Sequence, residues 1–331
     1  MNMNLPLLLV VIFLCFASPS LSVRCNPKDK KVLLQIKKDL GNPYHLASWD
    51  PNTDCCYWYV VKCDRKTNRI NALTVFQANI SGQIPAAVGD LPYLETLEFH
   101  HVTNLTGTIP PAIAKLTNLK MLRLSFTNLT GPIPEFLSQL KNLTLLELNY
   151  NQFTGTIPSS LSQLLNLLAI YLDRNKLTGT IPESFGRFKG PNIPDLYLSH
   201  NSLTGKVPTS LGDLNFSTLD FSRNKLEGDV SFLFGNGKNK TSQVIDLSRN
   251  LLEFDISKSE FAQSLISLDL NHNRIFGSLP QGLKDVPLQF FNVSYNRLCG
   301  QIPQGGTLQS FDIYSYLHNK CLCGSPLPKC K

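Results

Sequence analysis

One phrase, N-x-L-x-G-x-I-P, recurs along this chain, and its spacing constrains the fold more than any other feature. Its glycine falls at Gly82, Gly107, Gly131, Gly155, Gly179, Gly205, Gly228, Gly277 and Gly300, and Phe254 takes the glycine place in one unit. Successive units lie 23 to 26 residues apart. Self-similarity at such a period is the mark of a solenoid, in which each unit is one coil of a stack. Ten such positions give ten coils.

Each coil opens with L-x-x-L-x-L-x-x-N, as at Leu143, Leu146, Leu148 and Asn151. The alternation in L-x-L predicts a short strand with one buried face. Strands of successive coils then stack in parallel, and their inward leucines form one apolar column. Burying each leucine is worth roughly 1.5–3 kcal/mol. No coil can bury its own face, so stability is shared along the stack. A second column holds Asn151, Asn175, Asn201, Asn224, Asn250, Asn273 and Asn296, with Ala78, Thr103 and Thr127 in its place in the first coils. An amide there can satisfy backbone groups where the strand turns away. The glycine permits a tight turn, and the I-P that follows blocks helix or central-strand continuation. The I-P segments are therefore expected to be irregular or 3₁₀-like.

The expected fold class is an α/β solenoid of leucine-rich repeats, a right-handed superhelix with a parallel β-sheet on its concave face. The expected divisions are a signal peptide at 1–22, an N-terminal cap at 23–67, repeats at 68–300 and a C-terminal cap at 301–331. Leu5 to Phe16 is an almost unbroken apolar run, too short at about 12 residues to span a bilayer. Small residues follow at Ala17, Ser18, Ser20 and Ser22, as a signal-peptidase site requires, although the usual Lys or Arg before the run is missing. No later segment has 18 uninterrupted apolar residues, so a secreted, soluble chain without a membrane span is expected. In the N-terminal cap, Asp29 to Leu40 reads as a helix with Asp29 as N-cap. Val32, Leu33, Ile36 and Leu40 share a face, and Gly41 ends the helix.

Cys15 falls in the expected leader, and the other eight cysteines form two clusters: Cys25, Cys55, Cys56 and Cys63, then Cys299, Cys321, Cys323 and Cys330. An even count in a secreted chain reads as disulfides. The C-x-C of Cys321 and Cys323 does not match zinc-site spacing, so no metal is expected. Adjacent Cys55 and Cys56 cannot easily bridge one another, which leaves two pairings in the first cluster and three in the second. The sequential pairing is favoured: Cys25–Cys55, Cys56–Cys63, Cys299–Cys321 and Cys323–Cys330. Seven Asn-x-Ser/Thr sequons are glycosylation candidates, at Asn79, Asn104, Asn128, Asn142, Asn215, Asn239 and Asn292.

Residues between the leucines point outward along the sheet. Coils seven to nine read L-D-F-S-R-N, I-D-L-S-R-N and L-D-L-N-H-N, so Asp220, Asp246 and Asp269 look like scaffold defaults. Coils two to six depart from that text, at Glu98, His100, His101, Arg123, Phe126, Glu147, Tyr150, Tyr171, Asp173, Arg174, Asp195, Tyr197 and His200. Exposed aromatic, Arg and acidic side chains on a rigid sheet compose a recognition surface. A positive stripe continues through Arg174, His200, Arg223, Arg249 and His272, which could instead be salt-bridged to the Asp row. The formal charge of +7 favours acidic partners; basic residues are scattered, so nucleic acid is not expected. The Asp row has the spacing of a glycosidase pair but no enclosing pocket, so no enzyme is expected. His100 and His101 lack a third metal ligand and read as a solvated pair. No nucleophile elbow, phosphate loop or dinucleotide fingerprint occurs, and no cofactor is expected.

L-x-x-L-x-L-x-x-N-x-L-T-G-x-I-P resembles the plant-specific leucine-rich-repeat class. Residues 24–37 (R-C-N-P-K-D-K-K-V-L-L-Q-I-K), 54–58 (D-C-C-Y-W), 89–99, 226–235, 291–303 and 316–328 narrow this, and the chain resembles the polygalacturonase-inhibiting proteins from cap to cap. The resemblance implies an apoplastic, cell-wall protein, a monomer, that inhibits fungal or insect endopolygalacturonases and limits pectin degradation in plant defence. It also implies pectin or homogalacturonan as a second partner. Carried onto this chain, it selects Arg123, Glu147, Tyr150, Tyr171, Asp173, Arg174, Asp195, Tyr197, His200, Arg223 and Arg249 as the partner-binding set. The alternatives are a ligand- or receptor-binding recognition module and an ice-binding protein. Ice needs a flat array of small polar groups, which Arg, Tyr, Phe and Glu at irregular positions do not form.

Overall fold

The structure, a computed structural model, describes residues 25–235 and 240–331. The expected signal peptide and the sequon at Asn239 lie outside the described residues. An 11-stranded sheet runs the length of the stack. Its first strand, Val61–Cys63, is antiparallel to Ile70–Phe76. From Ile70–Phe76 to Phe290–Asn292, each coil adds one parallel strand. The register aligns Leu97, Leu122, Leu146, Ile170, Leu196, Leu219, Ile245, Leu268 and Phe291 in one buried column. The predicted apolar column is therefore the core of the protein.

Proline starts the opposite side of the coil. Pro85, Pro110, Pro134, Pro158, Pro182, Pro208 and Pro280 each precede a 3₁₀ turn, such as Pro111–Lys115 or Glu135–Gln139. A fixed φ and a missing N–H suit the start of a turn and end the strand before it. Between the asparagine and this proline the chain forms short strands that the sequence reading did not anticipate. Strands such as Asn128–Pro132 and Gln152–Thr154 pair in parallel with neighbouring coils, in one 4-stranded and two 3-stranded sheets. These strands are two to five residues long, and only the adjacent coil supplies a pairing partner.

The asparagine column does what its chemistry allows. Asn250 Nδ2 donates to the carbonyls of Phe221 at 3.0 Å, Leu247 at 3.1 Å and Ser248 at 3.2 Å, and its Oδ1 accepts from Leu226 N–H at 3.0 Å. One side chain thus joins two coils and satisfies four backbone groups. Asn175, Asn201, Asn224, Asn273 and Asn296 repeat the pattern. An unsatisfied buried polar group costs about 1–3 kcal/mol. Asn250→Ala is therefore expected to destabilise the protein by roughly 2–4 kcal/mol, seen as a lower urea midpoint. A midpoint unchanged from the parent would reject this role. The column also runs one rung further than the sequence reading placed it. Asn319 donates to Val293 and Tyr316 carbonyls and accepts from Leu298 N–H, so the C-terminal segment imitates an eleventh coil. Tyr316, fully buried, takes the leucine place there and donates its hydroxyl to Leu308 O at 2.6 Å.

The N-terminal helix spans Pro27–Asp39, and the expected cap at Asp29 is corrected. Asn26 is the N-cap; its side chain accepts from the N–H groups of Lys28 and Asp29. Asp29 lies inside the first turn, buried against Arg69. Leu33, Ile36 and Leu40 face the core as expected, and Trp49 stacks on Trp58 at 5.7 Å across the open end. The four disulfides are Cys25–Cys55, Cys56–Cys63, Cys299–Cys321 and Cys323–Cys330, the favoured pairing. Among the described residues, no helix is long and apolar enough to cross a membrane.

Candidate functional site

The residue just before each asparagine-column position turns the strand away in the left-handed region; in the second coil that position is the buried Val102, which corrects the expected Thr103. Gln77, His101, Phe126, Tyr150, Arg174, His200, Arg223, Arg249, His272, Tyr295 and His318 all have φ between +47° and +61°. This conformation costs a non-glycine residue on the order of 1–2 kcal/mol. Glycine would remove the cost, yet no coil uses it. The side chains are instead lined up at strand spacing of about 4.8 Å, near the separation of stacked rings. His101 stacks on Phe126 at 4.1 Å and Phe126 on Tyr150 at 3.8 Å. The Arg174 guanidinium sits 4.8 Å from the Tyr150 ring. At the far end His272, Tyr295 and His318 stack at 4.1 Å per step. The stripe read from sequence as charge is thus a ladder with stacked rings at both ends and cations in the middle. A signal for it existed: none of these positions is Val, Ile or Thr, the residues least able to adopt positive φ.

Inside the ladder, the strand side chains form three groups. Arg123 is clamped between Glu98 at 3.3 Å and Glu147 at 2.6 Å. Ser125 Oγ donates to Glu147 at 3.0 Å, and His100 and His101 share a 2.8 Å hydrogen bond, so they are linked rather than separately solvated. Burial and the Arg123 charge are among the causes that lower the His100 pKa, burial being the largest. Next, Tyr171 stacks on Tyr197 at 4.3 Å, and burial pushes its hydroxyl up to about 12. Asp195 is partly structural, accepting from the N–H groups of Ser217 at 3.0 Å and Thr218 at 2.7 Å.

The third group is a cleft of about 490 Å³ lined by Tyr150, Asp173, Arg174, His200, Arg223 and Arg249 from the candidate set. Asp220, Asp246, Asp269, Ser199, Ser222, Ser248 and Asn271, which the sequence reading left out, complete the lining. The cleft therefore lies further along the stack than the run of departures in coils two to six. Its acids are scaffold and lining at once. Asp220, Asp246 and Asp269 each accept from the N–H two residues on, at 3.1, 2.9 and 3.0 Å. These are Asx turns, which set up the left-handed residue that follows. The proposed salt-bridging of the Asp and Arg rows is corrected: among the described residues Arg174, Arg223 and Arg249 form no ion pair. Asp220, Asp246 and Asp269 end their strands half-buried, whereas Arg223 and Arg249 lie three residues after the acid of their coil, exposed in the left-handed turn.

Burial pushes Asp173 and Asp269 up to about 6, and raises Asp246 in the same direction. Because the folded pKa lies above the unfolded one, the Asp269 contribution is favourable at low pH and is lost as pH rises through about 6. In the next coil Asn292 Oδ1 accepts from Ser294 N–H at 3.0 Å, showing that asparagine makes the same turn. Asp269→Asn is therefore expected to raise Tm by a few degrees at pH 7.5. That gain should shrink as pH falls through about 6 and vanish only below about pH 3.8. A pH-independent difference in calorimetry would refute the ionisation argument.

Of the sequons, Asn79, Asn104, Asn128, Asn142 and Asn215 are exposed, whereas Asn292 is half-buried on the sheet face. Asn104 Nδ2 donates to Asn79 Oδ1 at 3.0 Å, so two of them are neighbours on adjacent coils.

Comparison with known proteins places this architecture. A family model described as "Leucine rich repeat N-terminal domain" matches residues 26–64. "Leucine Rich Repeat" matches five stretches: 118–140, 142–164, 166–188, 192–214 and 264–286. A polygalacturonase inhibitor of Pyrus communis is 68% identical over 98% of this chain and 97% of its own length. A polygalacturonase inhibitor of Vitis vinifera is 66% identical over 98% and 96%. Among solved structures, a plant ice-binding protein superposes with a TM-score of 0.90 at 53% identity, covering 93% of this chain and 99% of that one. With identity of this order over nearly its whole length, and repeats where the family model finds them, the chain belongs to the polygalacturonase inhibitor family of plant leucine-rich-repeat proteins.

Proposed function

We propose that this protein is a secreted inhibitor of endopolygalacturonases, working in the plant cell wall, and that it occludes them with the outer face of the long sheet. The carrying observation is the cleft. Among the described residues, the exposed Arg174, Arg223 and Arg249 form no ion pair and share the cleft with desolvated acids. Cations and aromatics already ordered on a rigid sheet lose little freedom on binding, which favours a protein partner with an acidic surface. The same row suits homogalacturonan, a polyanion, as a second ligand. The acids serve turns in an open cleft, so the protein binds a hydrolase and does not itself hydrolyse.

Purified protein mixed with a panel of fungal and insect endopolygalacturonases is expected to slow the release of reducing ends from homogalacturonan. No effect on any enzyme of a diverse panel would sink the proposal. The likeness to an ice-binding protein supports the second reading less well. The face carries Arg123, Phe126, Tyr150 and Tyr171 in place of a flat array of small polar groups, and no thermal hysteresis is expected.

A further inference from the structure

Two histidines outside the candidate binding set lie at the N-terminal end of the outer face. His100 ends the strand Thr96–His100, half-buried, and His101 follows it, exposed in the left-handed turn. A chain of hydrogen bonds fixes which ring nitrogens carry hydrogen. Ser125 has one hydroxyl proton, and it goes to Glu147 Oε1 at 3.0 Å. Glu147, ion-paired with Arg123, can only accept, so Ser125 Oγ in turn accepts from His100 Nδ1, 2.8 Å away. In neutral His100 the other nitrogen, Nε2, is then bare, and it accepts from His101 Nδ1 at 2.8 Å. His101 Nε2 is left bare, without a hydrogen-bond partner among the described residues.

A proton arriving here has one place to go. On His101 Nε2 it keeps every bond of the chain. On His100 Nε2 it would aim two N–H groups at each other across 2.8 Å. Burial, then the charges of His101 and Arg123, hold His100 below the ordinary histidine range, against the opposing pull of Glu147 and Glu98. These are the charges that act on it most. The preceding strand, Ile70–Phe76, has no ionisable side chain, and Gln77 and Phe126, the ladder neighbours of His101, do not ionise. Two carboxylates and one guanidinium, those of Glu98, Glu147 and Arg123, leave one net negative charge, which an imidazolium at His101 balances. The His101 ring is also held flat on Phe126 at 4.1 Å, a face that favours a cation.

We propose that this pair takes up one proton, on His101 Nε2, and that the N–H so formed donates to an acidic side chain of a bound endopolygalacturonase. Before protonation the same nitrogen offers only a lone pair, which repels a carboxylate. His101 is thus a partner-contacting residue gated by acid, and His100 a positioning residue that holds its ring and its tautomer. An enzyme with no carboxylate opposite His101 gains nothing from acidification through this pair, so the pair selects among target enzymes. The ring is already ordered by its stack and its hydrogen bond, so the contact costs little freedom. This inference rests on the function proposed above.

The test measures Kd for a panel of endopolygalacturonases between about pH 7.5 and about pH 5, where carboxylates of the partner stay ionised, with the full protein and its His101→Gln variant. Asp173 and Asp269, pushed up to about 6 by burial, titrate over the same range, so the two profiles are compared with each other. For at least one enzyme the parent should bind more tightly than the variant by about threefold to tenfold at the acid end and by less than about twofold at the neutral end. Parallel profiles for every enzyme that binds overturn this inference alone; binding to no enzyme of the panel overturns it together with the proposed function. Nitrogen-15 NMR of the imidazole rings gives a second readout. At about pH 7.5 both rings should carry hydrogen on Nδ1, and the pair should take up one proton on acidification. Two separate full titrations, or hydrogen on His101 Nε2 at neutral pH, overturn the relay. In Ser125→Ala, where His100 Nδ1 loses its acceptor, the rings should become tautomer mixtures; an unchanged tautomer would overturn the positioning role of His100.

Discussion

Arg69→Ala is expected to destabilise the N-terminal end of the protein by about 3–5 kcal/mol, the usual cost of leaving one partner of a buried ion pair alone. Asp29 is only 2% exposed. It accepts from Arg69 Nε at 2.9 Å and Nη2 at 2.7 Å, and from Ile70 N–H at 3.0 Å. This bidentate pair fastens the cap helix to the start of strand Ile70–Phe76, across 40 residues of sequence. The same guanidinium lies 4.0 Å from the Tyr93 ring of the next coil. Removing it leaves a buried carboxylate with one N–H donor and removes the stack on Tyr93. Cys25–Cys55 lies within the cap, and Cys56–Cys63 joins it only to the edge strand Val61–Cys63. Urea denaturation should show the lower midpoint. Hydrogen exchange should show faster opening of residues 27–76 than of the central coils, since repeat stacks unfold by neighbouring units. The double variant Asp29→Asn with Arg69→Met should recover part of the loss; if it were as unstable as the single variant, the ion-pair account would be wrong.

The second large effect concerns inhibition. Arg174→Glu is expected to weaken binding of a sensitive endopolygalacturonase by about tenfold to a hundredfold, or roughly 1.4–3 kcal/mol. Arg174 joins the ring ladder to the cationic middle of the cleft through its contact with Tyr150. It forms no ion pair among the described residues, so reversal removes a free cation and breaks no internal bridge. Glutamate there also faces Asp173 and Asp220, adding repulsion to the lost attraction. The backbone conformation is equally strained for either residue, so Tm should stay close to the parent's. An inhibition constant unchanged by the reversal, measured on a folded variant, would remove Arg174 from the binding surface. Slower association with a weaker salt dependence than the parent's should identify the effect as electrostatic.

These two residues show how differently the fold and the site could be read from the chain. Arg174 was legible as one of a periodic row, because any position fixed relative to the asparagine recurs once per coil. Its lack of an acidic partner was not legible, because Asp220, Asp246 and Asp269 are drawn into turns by N–H groups two residues away. Asp29 looked like a helix cap because it precedes an amphipathic run, and Asn26, three residues earlier, satisfies the same chemistry. Nothing local reveals that a guanidinium 40 residues away would claim the carboxylate.

By itself, the sequence determined what repeats: the coil length, the leucine and asparagine columns, the proline-started turns and the paired cysteines of the caps. Each follows from local periodicity, and a stack of near-identical units turns local periodicity into global architecture. Tertiary structure decided what depends on contact between coils. It built the short second sheets, since two-residue strands exist only with a partner beside them. It stacked His101, Phe126 and Tyr150 into a ladder, since ring contact requires strand spacing and a shared left-handed turn. It also separated the Asp and Arg rows, because the acids end the strands and are held by the next turn's N–H groups while the arginines stand in the left-handed turn that leaves the sheet.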